Sequence, residues 1–338
     1  MVKIGAGNMK QVFKASQSKI NTGRKCLQAY KYKYVNKLRR IAKARPLQFG
    51  GIMHDLFEAH AEGKDPFKKL EEIGSHNRRL FREEREMYGN IVVDAKYIMA
   101  GYLDYYKSDP IQYQARQGKR SEHEFKIGIA DDIEVTGKVD GVGKAKKMLW
   151  LIEHKNHKSF PNGDHRWRNV QSSIYIRFVE ELGWWQLDGT LWDYIRSKPP
   201  TRPQLLKNGK LSERELDSLP QVVIDTIKEH GLDPKKYKGL IDTQRQRMST
   251  WYERVYTPNK KEVVDSIVRD FILSAKILRD TNFEKRVPRS IGKHCDWCEF
   301  EPLCRAALTG ADEDYVMERE YEVKERTERE EEAERERE

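Results

Sequence analysis

Asp140, Glu153 and Lys155 are the side chains of this sequence whose types and spacing could do chemistry together. The stretch "KMLWLIEHK" (147–155) opens as a buried strand, with Leu149, Trp150, Leu151 and Ile152, and then turns charged without a turn residue. Alternate residues of a strand share a face, so Glu153 and Lys155 point one way and His154 the other. The strand before it ends in Asp140, and folding the intervening "GVGKAKK" as a hairpin can bring Asp140 beside Glu153. Two carboxylates at one sheet edge can hold a hard cation such as Mg²⁺ or Mn²⁺, leaving positions for water and phosphate. Such a cation acidifies water and neutralises phosphoryl charge, while the ammonium orients the water or steadies a developing oxyanion. The same residues could instead form a plain Glu–Lys salt bridge on an exposed strand end.

The elements that must position these groups follow from periodicity. Residues 16–30 read as a short helix leading to Cys26, and "GGIMHDLFEAHAEG" (50–63) as an amphipathic helix with Ile52, Leu56 and Ala59 on one face. Residues 68–107 read as one or two helices. "SEHEFKIGI" (121–129) and "IEVTGKVDGV" (133–142) alternate with period two around Asp131-Asp132, and 147–155 is a third strand. Residues 168–182 and 259–278 return to helical spacing, and 196–213, with three prolines, reads as a loop or a small excursion. Helices, a strand meander and helices again predict an α+β fold or an α/β/α sandwich with a small sheet at its centre.

The chain of 338 residues carries a net charge of +10. Residues 1–48 hold 13 Lys or Arg and no acid, whereas residues 312–338 hold 14 acidic and 6 basic side chains, so residues 1–311 carry +18. A body so basic attracts polyanions, nucleic acid first. Aromatics interleave with charge in "YKYKYVNKLRR", which makes Tyr30, Tyr32, Tyr34, Lys37, Arg39 and Arg40 candidate DNA contacts. Residues 312–338 are expected to be a separate solvated helix or disordered tail after a domain at 1–311. No apolar run long enough for a membrane helix and no signal peptide is present, which points to the cytoplasm.

Taken in order, these motifs resemble the RecB-like branch of the PD-(D/E)xK nucleases. Members carry a helical His, then Asp, then ExK, then a helix with QxxxY. The matching residues are His54 in "GGIMHDLFEAH", Asp140 in "GKVDGV", Glu153 and Lys155 in "IEHK", and Gln171 with Tyr175 in "VQSSIY". The resemblance covers residues 16 to 310 and implies a restriction-endonuclease-like α/β/α core with a mixed sheet. It implies a cation held by His54, Asp140, Glu153 and the carbonyl of His154, with Lys155 assisting the water and Gln171 and Tyr175 positioning it and the scissile strand. Glu122 or Glu124 on the first strand could add a carboxylate that steadies the ligands from behind, or simply face solvent.

"KHCDWCEFEPLCRAAL" supplies Cys295, Cys298 and Cys304, and Cys26 lies near the other end. Four cysteines in a reducing compartment suit zinc or an iron–sulfur cluster, and spacing alone does not separate the two. The split of one N-terminal and three C-terminal cysteines resembles the iron–sulfur members of the RecB-like branch, the AddB nuclease domain and the CRISPR-adaptation nucleases. There a 4Fe–4S cluster joins the helical N- and C-terminal parts. The resemblance implies an exonuclease acting on single-stranded DNA or DNA ends in recombination, repair or phage DNA metabolism, in the host cytoplasm if phage-encoded. A recombinase, helicase or single-strand-binding protein would be its partner. The alternatives are a non-catalytic DNA-binding scaffold with a zinc or iron–sulfur staple, and an end-trimming factor that works only with partners.

Overall fold

The structure is a computed structural model. It describes residues 12–41, 45–77, 90–130, 132–161, 165–214 and 216–324. Asp131 of the expected turn, residues 78–89 of the expected helical region and residues 325–338 of the acidic tail lie outside the described residues. The helices are α1 Gln17–Lys25, α2 Leu27–Tyr30, α3 Arg45–Ala61, α4 Pro66–Asn77, α5 Ile91–Tyr105, α6 Val170–Glu181, α7 Pro220–Glu229, α8 Lys238–Gln246, α9 Lys261–Asp280, α10 Glu301–Thr309 and α11 Glu313–Glu320. The strands are β1 Phe13–Ala15, β2 Leu38–Arg40, β3 Gln112–Tyr113, β4 Ser121–Ala130, β5 Ile133–Ala145, β6 Met148–His157, β7 Gly189–Arg196, β8 Tyr252–Pro258 and β9 Tyr321–Val323.

The chain divides into two compact units: residues 44–125 with 138–267, and residues 1–43 with 126–137 and 268–338. In the first, β5 and β6 form the expected antiparallel hairpin, with Gly141 opposite Ile152. β6 then pairs in parallel with β7, and β7 antiparallel with β8, so the sheet is mixed. Sequence periodicity stops at three strands. It misses β7 because β7 is buried on both faces, and a doubly buried strand shows no alternation. Gly189 opens β7 because a Cβ there would stand 2.3 Å from the Thr257 carbonyl oxygen and 2.8 Å from the Trp150 ring. Against the sheet lies a core in which α3 contributes Phe49, Met53, Leu56 and Phe57, α5 contributes Ile98 and Met99, and Trp251 and Tyr252 lead into β8. Each such side chain adds about 1.5–3 kcal/mol by leaving water, and this burial anchors α3, the helix that carries His54.

In the second unit β1 pairs in parallel with the start of β5, Phe13 opposite Ile133. The expected helix at 16–30 is interrupted: Cys26 takes an extended conformation that ends α1 and starts α2. The beginning of the acidic segment is folded rather than a plain solvated helix. Asp312 caps α11, and β9 pairs antiparallel with β2, placing Arg39 opposite Glu322 and Arg40 opposite Tyr321. Tyr321, 4% exposed, packs with Tyr32, Leu38, Phe300 and Leu303. Among the described residues no helix is long and apolar enough to cross a membrane.

Candidate active site

Asp140, Glu153, Lys155, Gln171 and His54 gather around the β5–β6 hairpin. The register brings Asp140 to the Glu153–His154 step, where the His154 backbone N–H donates to Asp140 Oδ2 at 3.0 Å. Glu153 and Lys155 share a face, as strand parity requires, and pair at 2.7 Å. Glu153 is completely buried, and its Oε1 has no hydrogen-bond partner. Burial pushes the Glu153 carboxyl up to about 7, against the opposing pull of Lys155. Burial alone would lower the Lys155 pKa, but Glu153 outweighs it and holds the ammonium charged above its ordinary range. Lys155 Nζ also donates to Gln171 Oε1 at 3.1 Å. Gln171 sits in the first turn of α6, whose start is fixed by the Asn169 side chain accepting from Ser172 N at 3.0 Å, a cap of the kind that contributes roughly 1 kcal/mol. One turn on, Tyr175 is buried edge-on against Phe125, with its hydroxyl pKa raised to about 12 by burial.

His54, from α3, reaches the same carboxylate: its Nδ1 lies 3.8 Å from Asp140 Oδ2. Burial lowers the His54 pKa, so the imidazole is neutral at pH 7 and its lone pair is free to ligate. His54, Glu122 and Asp140 each offer a donor atom, all within 4.8 Å of one another. Glu122 stands in β4 with φ +53°, a left-handed conformation that costs a non-glycine residue about 1–3 kcal/mol. Glu62 holds it there by accepting from Arg120 N, Ser121 N and the Ser121 hydroxyl. Glu122 is ion-paired with Lys138, whereas Glu124 is exposed and is not in the group. Carboxylate oxygens with one imidazole suit a hard divalent cation, and the orphaned Glu153 oxygen is a buried acceptor that coordination would satisfy.

On the opposite face of β6 lies a network that sequence reasoning missed. The His154 ring is stacked 4.1 Å from Phe57, its Nδ1 is 2.9 Å from Asp193 Oδ2, and its Nε2 is 3.2 Å from the Tyr113 hydroxyl. Tyr102 donates to Asp193 Oδ2 at 2.6 Å, and Arg254 Nε to Oδ1 at 3.3 Å. Burial alone would raise the Asp193 carboxyl, but His154, Arg254 and Tyr102 hold it below its ordinary value. The only sequence signal was an acid inside the apolar run "GTLWDYIR". Also missed was Trp167, 53% exposed in the turn before α6, with the Arg168 guanidinium 5.8 Å from its ring centre.

The second unit revises the aromatic–basic reading. Tyr30 and Tyr32 are core residues, stacked on Phe283 at 4.8 Å and tilted against Phe300 at 5.6 Å, so neither ring is open to a base. Two positions apart on a helical turn, they point different ways, and each is covered by its own aromatic partner. Arg39 and Arg40 are ion-paired with Glu322 and Glu320 of the acidic segment. Lys37 is exposed and Tyr34 half-buried. Cys26, Cys295, Cys298 and Cys304 are all free thiols lining one cavity of about 500 Å³. Cys26 comes from the α1–α2 break, Cys295 and Cys298 from a 3₁₀ turn and its cap, and Cys304 from α10. Burial raises the Cys298 thiol, with Cys26 and Cys295 adding to it. Thiols are the donors that zinc and iron–sulfur clusters take.

No curated protein matches the chain. Among solved structures it is similar to the crystal structure of SSO0001, with 12% identity over 75% of this chain and 84% of that one and a TM-score of 0.28. The family model described as the PD-(D/E)XK nuclease superfamily matches residues 14–305, a span that holds the hairpin carboxylates, Lys155, His54, Gln171 and all four cysteines. The chain is a member of the PD-(D/E)XK nuclease superfamily.

Proposed function

We propose that the chain is a divalent-metal-dependent exonuclease that hydrolyses phosphodiester bonds at DNA ends, with single strands as its preferred substrate. The observation that carries the reading is the Asp140–Glu153–Lys155–Gln171 cluster, in which a fully buried carboxylate is left with one unpartnered oxygen. Asp140, Glu153, His54 and the His154 carbonyl would hold Mg²⁺ or Mn²⁺, which supplies Lewis-acid activation of water and neutralises phosphoryl charge. Lys155 is charged at neutral pH, so it serves as a donor to the negative oxygens of the transition state rather than as a base. Gln171 fixes where that ammonium points. Water adds to phosphorus, the bond to the leaving oxygen breaks, and the water proton ends on that oxygen, giving a phosphomonoester and an alcohol. Trp167 and Arg168 beside α6 offer a ring and a cation to an unpaired nucleotide, which supports single-stranded substrates.

The same reading assigns a 4Fe–4S cluster to Cys26, Cys295, Cys298 and Cys304, supported by their convergence from both ends of the chain on one cavity. The cluster would tie α1 and α2 to the segment around α10.

The test is degradation of end-labelled linear and circular DNA, single- and double-stranded, with Mg²⁺, Mn²⁺ or EDTA. Metal-dependent loss of linear single strands, with circles surviving, is the expected result. Cleavage of circles at the same rate would make the enzyme an endonuclease. Binding without cleavage in any metal would leave a DNA-binding scaffold, and activity only with added cell proteins would leave a partner-dependent trimming factor.

A further inference from the structure

A cationic cavity opens where the parallel strands β6 and β7 end, the end at which α/β sheets hold ligands. Lys155 stands opposite Tyr194, and two residues on, about 6.6 Å along the strand, His157 stands opposite Arg196. The Tyr194 ring meets His157 at 5.5 Å and Phe160 at 6.3 Å, so side-chain contact runs on from the catalytic lysine's neighbour. Phe160 then lines a cavity of about 620 Å³ with Ser159, Arg196, Asp217, Arg247 and Ser249. Arg196 is fixed on several sides. Its Nε donates to the Lys158 carbonyl at 3.3 Å, its two terminal nitrogens donate to the two Asp217 oxygens at 2.6 and 2.8 Å, and its guanidinium lies 5.0 Å from the Trp251 ring centre. Lys198 also donates to Asp217, at 2.6 Å, and Arg247 donates to the Leu216 carbonyl at 3.3 Å. Three cations therefore stand at a cavity that holds one carboxylate, which leaves positive charge in excess. A salt bridge that merely pinned the segment before α7 to the sheet would need only one of them. The arginine fork takes a carboxylate and a phosphate with the same two-pronged geometry, so Asp217 sits where a phosphate would fit.

We infer that this cavity is a separate nucleotide subsite, which takes a neighbouring phosphate of the single DNA strand whose reacting phosphate lies at Lys155. Arg196, Lys198 and Arg247 hold that phosphate, Phe160 offers its ring to the base, and Asp217 is the internal anion that the phosphate displaces. The inference rests on the nuclease reading above, which supplies the strand, and adds residues that the hairpin does not contain. Asp217 is 26% exposed by its side chain, so it can turn to water when the phosphate arrives. The hydroxyls of Ser159 and Ser249 add neutral donors to the lining.

The test is fluorescence anisotropy of labelled oligothymidylates of increasing length with the full-length protein, without added metal so that nothing is cleaved, over a series of salt concentrations. Wild-type affinity should rise once the oligomer is long enough to reach from Lys155 to Arg247. The double variant Lys198→Ala, Arg247→Ala should lose that gain, and its slope of log affinity against log salt should be shallower by about 0.7 for each cation removed. Asp217→Asn should bind the longer oligomers more tightly than wild type, whereas loss of a purely structural salt bridge would lower the melting temperature and tighten nothing. Circular dichroism checks the fold, and Lys198→Gln with Arg247→Gln replaces the alanine pair if that pair unfolds. Unchanged length dependence and salt slope in the folded double variant, or unchanged or weaker binding by folded Asp217→Asn, overturns the inference. Cleavage by the wild type with binding unaltered in the variants would sink the subsite alone. Altered binding in the variants with no cleavage by the wild type in any metal would sink the nuclease reading and leave a strand-binding subsite.

Discussion

Lowering the pH from 8 to 6 should weaken Mn²⁺ binding at the Glu153 position about tenfold. The Glu153 carboxyl is pushed up to about 7 by burial, so its ionised fraction falls about tenfold across that interval. A cation must displace that proton, and one proton per unit pH costs about 1.4 kcal/mol. The other groups facing Glu153 work in known directions: Lys155 favours its ionised form, Asp140 opposes it, and His154 on the same strand favours it. His54 adds little slope, because burial lowers its pKa and leaves it neutral over most of this range. The sign for stability follows. The folded carboxyl lies above its unfolded value of about 4.3, so its stabilising contribution is complete below that value and is lost as pH rises through 7. Metal-free protein should therefore melt lower at pH 8 than at pH 5, and Mn²⁺ should restore more stability at the higher pH. Isothermal titration and thermal melts at pH 6, 7 and 8 measure both effects. An affinity that is flat from pH 6 to 8, or a slope that survives intact in Glu153→Gln, would refute the reasoning.

Asp140→Ala and Glu153→Ala should abolish metal-dependent cleavage with the circular dichroism spectrum retained, and Lys155→Ala should reduce the rate by about 10²–10³; wild-type rates in any of the three would unseat the site. Trp167→Ala should weaken binding to single-stranded DNA by about 1–3 kcal/mol and to duplex DNA much less, which fluorescence anisotropy can compare. Deleting residues 325–338 removes a net charge of −4, and binding to DNA should tighten and become more salt-dependent; an unchanged salt slope would exclude competition by that segment. Anaerobically purified protein should be brown with close to four irons per chain, and Cys26→Ala and Cys298→Ala colourless and poorly soluble; one zinc per chain and no iron would reassign the cysteine site.

Local rules made part of this protein legible. Strand parity put Glu153 and Lys155 on one face, because side chains alternate on any strand whatever surrounds it. The stretch "GVGKAKK" folds back at Lys146 and Lys147, with β5 running on to Ala145, and this register sets Asp140 beside Glu153. Helical spacing put Gln171 and Tyr175 a turn apart on α6. Where the reading erred, the cause was the environment. "YKYKYVNKLRR" has the composition of a nucleic-acid stripe, yet Tyr30 and Tyr32 are buried on Phe283 and Phe300, residues more than 250 positions away. Tyr321 in the acidic segment is a core residue for the same reason. The sequence by itself determined the mixed α/β class, the hairpin and the identity of its carboxylates, because these depend on alternation and neighbours within a few residues. Only the tertiary structure decided that Glu153 is sealed from water, that Glu122 faces His54 at a left-handed backbone angle, that Asp193 and Arg254 underlie the site, and that Cys26 lines one cavity with Cys295, Cys298 and Cys304. Desolvation and long-range juxtaposition are properties of the packed chain, and no local pattern encodes them.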